Sequence, residues 1–172
     1  MKEYRHVIFV GDSRNVVRRM KKNHSSKSNV EASALRRFIA EDRGLKLKIT
    51  KRLTSNSKRI RIDLPDPSSA EGEITSYVRS GKWKYVLCDT YDEANTFQAH
   101  DFQWFVIEQL KPLLNRASKP WKQKNFEERY RKGLQELVTK PLMNFEQLSY
   151  RKKSGPGVYV FYHDFKPSEF HQ

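Results

Sequence analysis

The chain has 172 residues, with 34 Lys and Arg against 20 Asp and Glu, a net charge of +14 and a pI near 9.9. This length is enough for one domain with a sizeable core, and the excess positive charge favours polyanions, nucleic acid first, through salt-dependent binding. A membrane partner is not expected, because no run approaches the roughly 18 apolar residues of a span and no signal-peptide pattern precedes Tyr4.

A single cysteine limits the chemistry of the chain. With Cys88 alone, neither an intrachain disulfide framework nor a cysteine-based zinc cluster can form. Cys88 ends an apolar run, which predicts a buried structural thiol rather than a nucleophile. Cytoplasm, or another reducing compartment such as that of a bacterium or a phage-infected cell, is therefore expected.

The opening residues predict a strand, a turn and the start of a helix. The apolar run 7–10 stops at Gly11, a polar turn covers 12–15, and a basic helical segment continues to 24. Free N–H groups at the helix start and the cations one turn further on predict a concavity for a phosphate, and a solvated basic helix is the equal alternative. The candidate nucleic-acid contacts of this segment are Arg14, Arg18, Lys21 and Lys22.

A helix and a basic hairpin are predicted next. Helical spacing over 30–41 should end near Gly44, and alternating residues over 45–53 and 59–64 predict two strands joined by a short connection. The hairpin is expected to place its lysines and arginines on one face, either as a solvated edge or as a ribbon that fits a DNA groove. Its candidate contacts are Lys48, Lys51, Arg59 and Arg61.

The remaining elements follow from turn residues and periodicity. A turn at 65–69 predicts a helix that ends at Ser80, and Pro112 should mark the end of the longest helical pattern. The other predictions are a strand over 83–89, that long helix over 92–114, basic and mostly helical residues over 116–154, and a strand over 158–162.

Three stretches of the sequence carry a resemblance to a known family. Phe9 to Asn15, followed by Arg19, resembles the second signature strand and first helix of the GIY-YIG nucleases, and 103–115 is similar to the last conserved helix of that family. The first strand of the family resembles 155–161, near the end of this chain. The resemblance therefore implies a circular permutant in which the first and last strands pair, and an ordinary terminal strand is the alternative.

What the resemblance implies is a metal-dependent endonuclease that acts on double-stranded DNA with one Mg²⁺ (or Mn²⁺) ion in each site. Tyr159 would orient or deprotonate water as a phenol or phenolate, and Arg19 would bind two phosphate oxygens. Asn115 matches the family in spacing, and Phe9 stands where the family has a tyrosine. His24 is an auxiliary-base candidate, although a lone surface histidine is more often a bystander.

Position 103 departs from the family pattern. The metal-binding glutamate of the family falls at Gln103, whose amide lacks the charge that Mg²⁺ favours, and the nearby acids Asp101 and Glu108 point elsewhere on the helix. Either Gln103 marks an inactive form of an enzyme that naturally has Glu there, or the protein is a relative that binds DNA or RNA without cutting. A basic structural protein of an RNA particle is a further alternative.

Together, the patterns and the resemblance predict a single α/β (α+β) domain with a small, mainly antiparallel central sheet of about three or four strands flanked by helices. Its core should comprise 5–44, 82–115 and 155–163, with basic additions at 45–64 and 116–154. One site per chain makes a homodimer a reasonable expectation for cutting both strands.

Overall fold

A computed structural model describes residues 7–25, 33–44, 48–54, 57–63, 67–88, 99–115, 119–152 and 155–164. The strands are β1 (Val7–Ser13), β2 (Lys48–Thr54), β3 (Ser57–Asp63), β4 (Lys82–Leu87) and β5 (Gly157–Tyr162). The helices are α1 (Val16–Arg18), continued by a π-helical segment (Arg19–His24), then α2 (Ala34–Asp42), α3 (Pro67–Ser80), α4 (Ala99–Leu110), a 3₁₀ turn (Lys124–Phe126), α5 (Glu127–Thr139) and α6 (Phe145–Ser149). None of the helices in these ranges has the length and hydropathy needed to cross a membrane.

An antiparallel sheet of three strands, in the order β1-β5-β4, forms the centre of the fold. β5 is the middle strand and is buried along its whole length. β1 pairs with it so that Phe9 lies opposite Phe161 and Gly11 lies opposite Tyr159. The expected pairing of the first and last strands is thus confirmed, as is the α+β class with a small antiparallel sheet flanked by helices.

The two faces of this sheet carry separate parts of the core. Tyr159 and Phe161 of β5 pack into one cluster with residues of α1, the π-helical segment, α2, α3 and α6. Val158 and Val160 pack into the other with residues of α4 and α5. Because strand residues alternate between faces, one buried strand supplies both clusters.

Several predicted boundaries shift where tertiary pairing overrides the local pattern. β1 does not stop at Gly11: Asp12 and Ser13 pair with Val158 and Gly157, so half of the predicted turn is strand. α4 ends at Leu110, where Lys111 takes a left-handed φ of 47° before Pro112, as the proline predicted. The early part of the predicted long helix, 92–98, lies outside the described residues. Cys88 is a buried thiol, as expected.

The predicted hairpin is confirmed, but its charges do not share one face. β2 and β3 pair antiparallel, with Thr50 opposite Arg61, Lys51 opposite Ile60 and Arg52 opposite Arg59. Because register positions alternate along a strand, the position of Lys51 is out of phase with those of Lys48, Arg59 and Arg61. The expectation of a single basic face is wrong for Lys51, whose register position alternates with the basic ones and matches those of Ile49 and Ile60.

The additions after α4 are anchored to it by two carboxylates. Asp101 accepts hydrogen bonds from Lys122 N (2.7 Å), Gln123 N (3.1 Å) and Tyr130 Oη (2.8 Å). Glu108 accepts one from Trp121 Nε1 at 2.7 Å. Both acids therefore hold the segment that leads into α5, whereas Gln103 bonds Val10 of β1.

Glycine 157 offers a test of this packing. A Cβ there would overlap the Val86 carbonyl oxygen and lie 3.0 Å from Leu87 Cα, whereas a Cβ on Gly72 in α3 would meet no atom within 4 Å. We expect Gly157→Ala to lower the free energy of unfolding by about 1–3 kcal/mol. Gly72→Ala should raise it by about 0.5–1 kcal/mol, because alanine favours a helix. Urea unfolding measures both, and equal effects of the two changes would contradict the sheet packing.

Candidate functional site

The π-helical segment brings Arg19 and His24 to the same phenol. In a regular α-helix, two residues five positions apart point about 140° away from each other. The π-helical turn instead hydrogen-bonds at a spacing of five, which brings such a pair towards one face. Both side chains consequently reach Tyr159 on β5: His24 hydrogen-bonds its hydroxyl and the Arg19 guanidinium lies beside it.

A chain of hydrogen bonds leads inward from Tyr159. Tyr159 Oη and His24 Nε2 are 2.6 Å apart, and His24 Nδ1 and Ser33 Oγ are 2.5 Å apart. Ser33 caps α2, where its Oγ accepts from Arg36 N at 3.1 Å. Because Arg19 offers only donors to the phenol oxygen, Tyr159 donates its proton to Nε2, and Nδ1–H then donates to Ser33.

The environment keeps the members of this pair neutral. Burial, reinforced by the charges of Arg19 and Arg36, lowers the pKa of His24 well below its usual value. Burial also raises the pKa of Tyr159 far above its ordinary value, an effect that Arg19 partly offsets and Asp12 adds to. At neutral pH the pair is thus a neutral phenol hydrogen-bonded to a neutral imidazole.

Aromatic rings enclose the pair, and a glycine makes room for it. The Phe9 ring lies 6.4 Å from that of Tyr159 and 6.1 Å from that of His24, and Trp83 stacks on His24 at 5.8 Å. A Cβ on Gly11 would overlap the Tyr159 ring and hydroxyl. Phe9, a candidate site residue, is therefore an apolar wall that presents no hydroxyl to the site.

Asn115 and Gln103 hold the outer edge of β1. Asn115 Oδ1 accepts from Val10 N at 2.8 Å, and its Nδ2 donates to Val10 O at 2.9 Å. Gln103 Nε2 donates to the same carbonyl at 3.2 Å. Both polar atoms of the Asn115 carboxamide are thus hydrogen-bonded to the main chain of Val10, next to Gly11. Asn115 therefore acts as a positioning residue for the strand that faces Tyr159.

The metal implied by the resemblance does not fit these residues. Position 103 presents an amide that donates to a carbonyl, and Asp101 and Glu108 are engaged with the segment before α5. Within the described ranges, no group of three or more His, Cys, Asp or Glu side chains is placed to hold a metal ion. Mg²⁺ and Mn²⁺ favour several oxygen ligands, a set that Gln103, Asp101 and Glu108 do not supply in this arrangement.

The predicted anion site at the helix start is partly occupied by the chain itself. Val16 N donates to Gly155 O at 3.0 Å, and Arg18 N donates to Asn15 Oδ1 at 2.9 Å. Phosphate binding would therefore depend on side chains, of which Arg14, Arg18 and Lys22 are exposed and Lys21 is half-buried. For the hairpin candidates the structure describes the main chain only; these residues are Lys48, Lys51, Arg59 and Arg61.

Sequence reasoning did not identify Ser33, Arg36 or Trp83 as parts of the site. Arg36 is fully buried and its Nη1 donates to the His24 carbonyl at 2.9 Å. Ser33 has the sequence position of a helix cap, but its contact with His24 depends on the π-helical turn, which the pattern does not predict.

Neither a protein-family model, nor a curated protein, nor a solved structure matches this chain.

The lowered pKa of His24 predicts how stability depends on pH. The unfolded histidine gains a proton below about pH 6.5, whereas the folded one stays neutral to lower pH, so acid favours unfolding. From His24, we expect no change above about pH 7 and a loss of up to about 1.4 kcal/mol per pH unit below 6.5.

Urea unfolding at pH 7.5 and 5.5 measures this loss. His24→Gln should lower stability at both pH values but show a smaller difference between them. An equal difference in both proteins would mean that the pKa of His24 does not change on folding, which would contradict its neutral state in the fold.

Proposed function

We propose that this chain binds double-stranded DNA through a backbone phosphate at Tyr159, His24 and Arg19, and hydrolyses a phosphodiester bond there, as GIY-YIG nucleases do. The observation that carries the proposal is the pairing of β1 with β5, which brings Tyr159 against Arg19 and His24. The order β1-β5-β4 also supports the permuted reading, since the strand with the Pro-Gly-Val-Tyr motif lies beside the strand with Val10 and Gly11.

An anionic ligand is supported by the state of Arg19. Its Nε is buried and has no hydrogen-bond partner among the described residues. Buried donors are nearly always paired, and a guanidinium binds two phosphate oxygens through adjacent N–H groups. A phosphate beside Tyr159 would satisfy this donor and place the negative charge next to the phenol.

The hydrogen-bonded pair supplies a route for the proton of the attacking water. As the water oxygen bonds to phosphorus and the bond to the leaving oxygen breaks, Tyr159 takes the water proton and passes its own to His24 Nε2. The leaving oxygen takes up a proton from solvent, and His24 later returns its proton to the bulk. No free phenolate has to form, which suits the raised pKa of Tyr159. The charge of the bound phosphate opposes those of Arg19 and Arg36, so it raises the pKa of His24 and improves the acceptor.

A second candidate function is a nucleic-acid-binding module that does not cut. The bond from Gln103 Nε2 to the Val10 carbonyl favours it, because a glutamate in the same position would turn a carboxylate towards that oxygen. Phe9 also favours it, because a phenylalanine in place of the family's tyrosine lacks the hydroxyl that the tyrosine would bring to the site. In this alternative the same cleft binds DNA or RNA, and Tyr159 and His24 are packing residues.

Removal of Arg19 tests the first proposal. We expect the protein to nick supercoiled plasmid, and Arg19→Ala to slow nicking about 100- to 1,000-fold, because the charge that builds up on phosphate loses its main donor. Arg131→Ala removes a surface arginine that pairs with Glu127 and should leave the rate unchanged. Equal rates for wild type and Arg19→Ala would contradict the assignment.

Restoring a carboxylate at position 103 separates the two candidates. A charged oxygen ligand favours Mg²⁺, so we expect Gln103→Glu to nick plasmid faster in Mg²⁺ than wild type, and to lose this gain when combined with Arg19→Ala. Binding of duplex DNA without nicking, by wild type and by Gln103→Glu alike, would instead establish the binding module.

A further inference from the structure

A cationic groove of about 320 Å³ lies between two segments of the chain. One wall belongs to the helical segment that also carries Arg19, and the other belongs to the chain just after α6. The cations that line the groove are Arg18, Lys21, Lys22, Arg151 and Lys152, and its described lining contains no acidic side chain. Lys21 Nζ donates to Arg151 O at 2.8 Å and ties the walls together. Its charge suits the phosphates of a nucleic-acid strand.

An apolar pocket of about 460 Å³ adjoins this groove, because Arg151 lines both. Its apolar lining is Tyr85, Leu87, Pro141 and Met143, at the edge of β4. Leu87 is 38 % exposed, so its side chain is accessible to a ligand. The volume falls within the range of about 300–1,000 Å³ that is typical of small-ligand sites.

Apart from Arg151, which also lines the groove, the charged residues of the pocket are engaged within the chain. Glu136 pairs with Lys140 Nζ at 2.7 Å, and Lys84 is buried with its Nζ donating to Val138 O at 2.8 Å. What the pocket offers a ligand is therefore an apolar surface with an aromatic ring. Tyr150, 75 % exposed and next to Arg151 in the chain, adds a second ring to the same segment.

We infer that the groove and the pocket together bind an unpaired nucleotide, with its phosphates along the groove and its base against Tyr85 and Leu87. The bases of a duplex are stacked and paired, so they offer no ring face to an apolar pocket, whereas those of a single strand do. The inference rests on the proposed function and deepens it: the preferred DNA has a single-stranded segment beside the duplex.

Fluorescence anisotropy with two DNAs tests the base pocket. We expect a duplex with a short single-stranded tail to bind about tenfold tighter than the same duplex with blunt ends, the effect of about one base contact. Leu87→Asp should remove this preference and leave blunt-duplex binding unchanged, and Leu87→Ala should weaken it without adding charge. Leu113→Asp is the matched control, since Leu113 is 49 % exposed and lies outside the pocket.

Salt dependence tests the groove. Replacing Arg151 and Lys152 together by Ala should reduce the slope of log K against log salt for the tailed DNA by about 1.4, or 0.7 for each lost phosphate contact on a single strand. The control changes Arg131 and Lys132 to Ala, which removes the same charge from α5 outside the groove.

Three results would overturn the inference: no preference of wild type for the tailed DNA, equal loss of blunt-duplex binding in Leu87→Asp, or equal slopes for the two double variants. The second result would mean that the surface around Leu87 binds duplex DNA rather than an unpaired nucleotide. Nicking assays on the same proteins keep the two proposals separate. If Arg19→Ala abolishes nicking while Leu87→Asp changes no preference, the proposed function stands without the unpaired nucleotide.

Discussion

The pairing of β1 with β5 determines the rest of the site, because it sets Gly11 opposite Tyr159. With no Cβ at Gly11, the phenol ring can lie across the neighbouring strand and extend its hydroxyl to His24. Asn115 and Gln103 support this arrangement from the far side of β1 by holding the main chain of Val10. A shift of one residue in the register would turn Tyr159 to the other face of the sheet.

The second determinant is the π-helical turn between Arg19 and His24. It lets one short segment deliver a charged donor and a neutral imidazole to a single hydroxyl, while Met20 of the same segment remains in the core. π-helical turns are rare, because their wider turn weakens the hydrogen-bond geometry. Those that do occur are frequently found at functional sites. Here the wider turn supports the assignment of Tyr159, His24 and Arg19 as one chemical unit.

Local patterns were sufficient to predict much of the fold. Alternation predicted the hairpin of β2 and β3, and Pro112 predicted the end of α4. The pairing of the first and last strands came from the motif around Tyr159, because periodicity alone does not indicate which strands pair. Facts that depend on distant partners were missed: the extension of β1 through Ser13, the partners of Gln103, and the part of Ser33 in the site. The π-helical turn has no pattern in this sequence that distinguishes it from an α-helix.

The central position of β5 has a consequence for biosynthesis. Both edge strands, β1 and β4, leave the ribosome before the strand that joins them. Until β5 emerges, the main-chain edges of β1 and β4 that pair with it have no partner, so the nascent chain is exposed to aggregation. Closure of the sheet then depends on contacts between distant parts of the chain, which form slowly. The high positive charge of the chain keeps such intermediates apart by mutual repulsion.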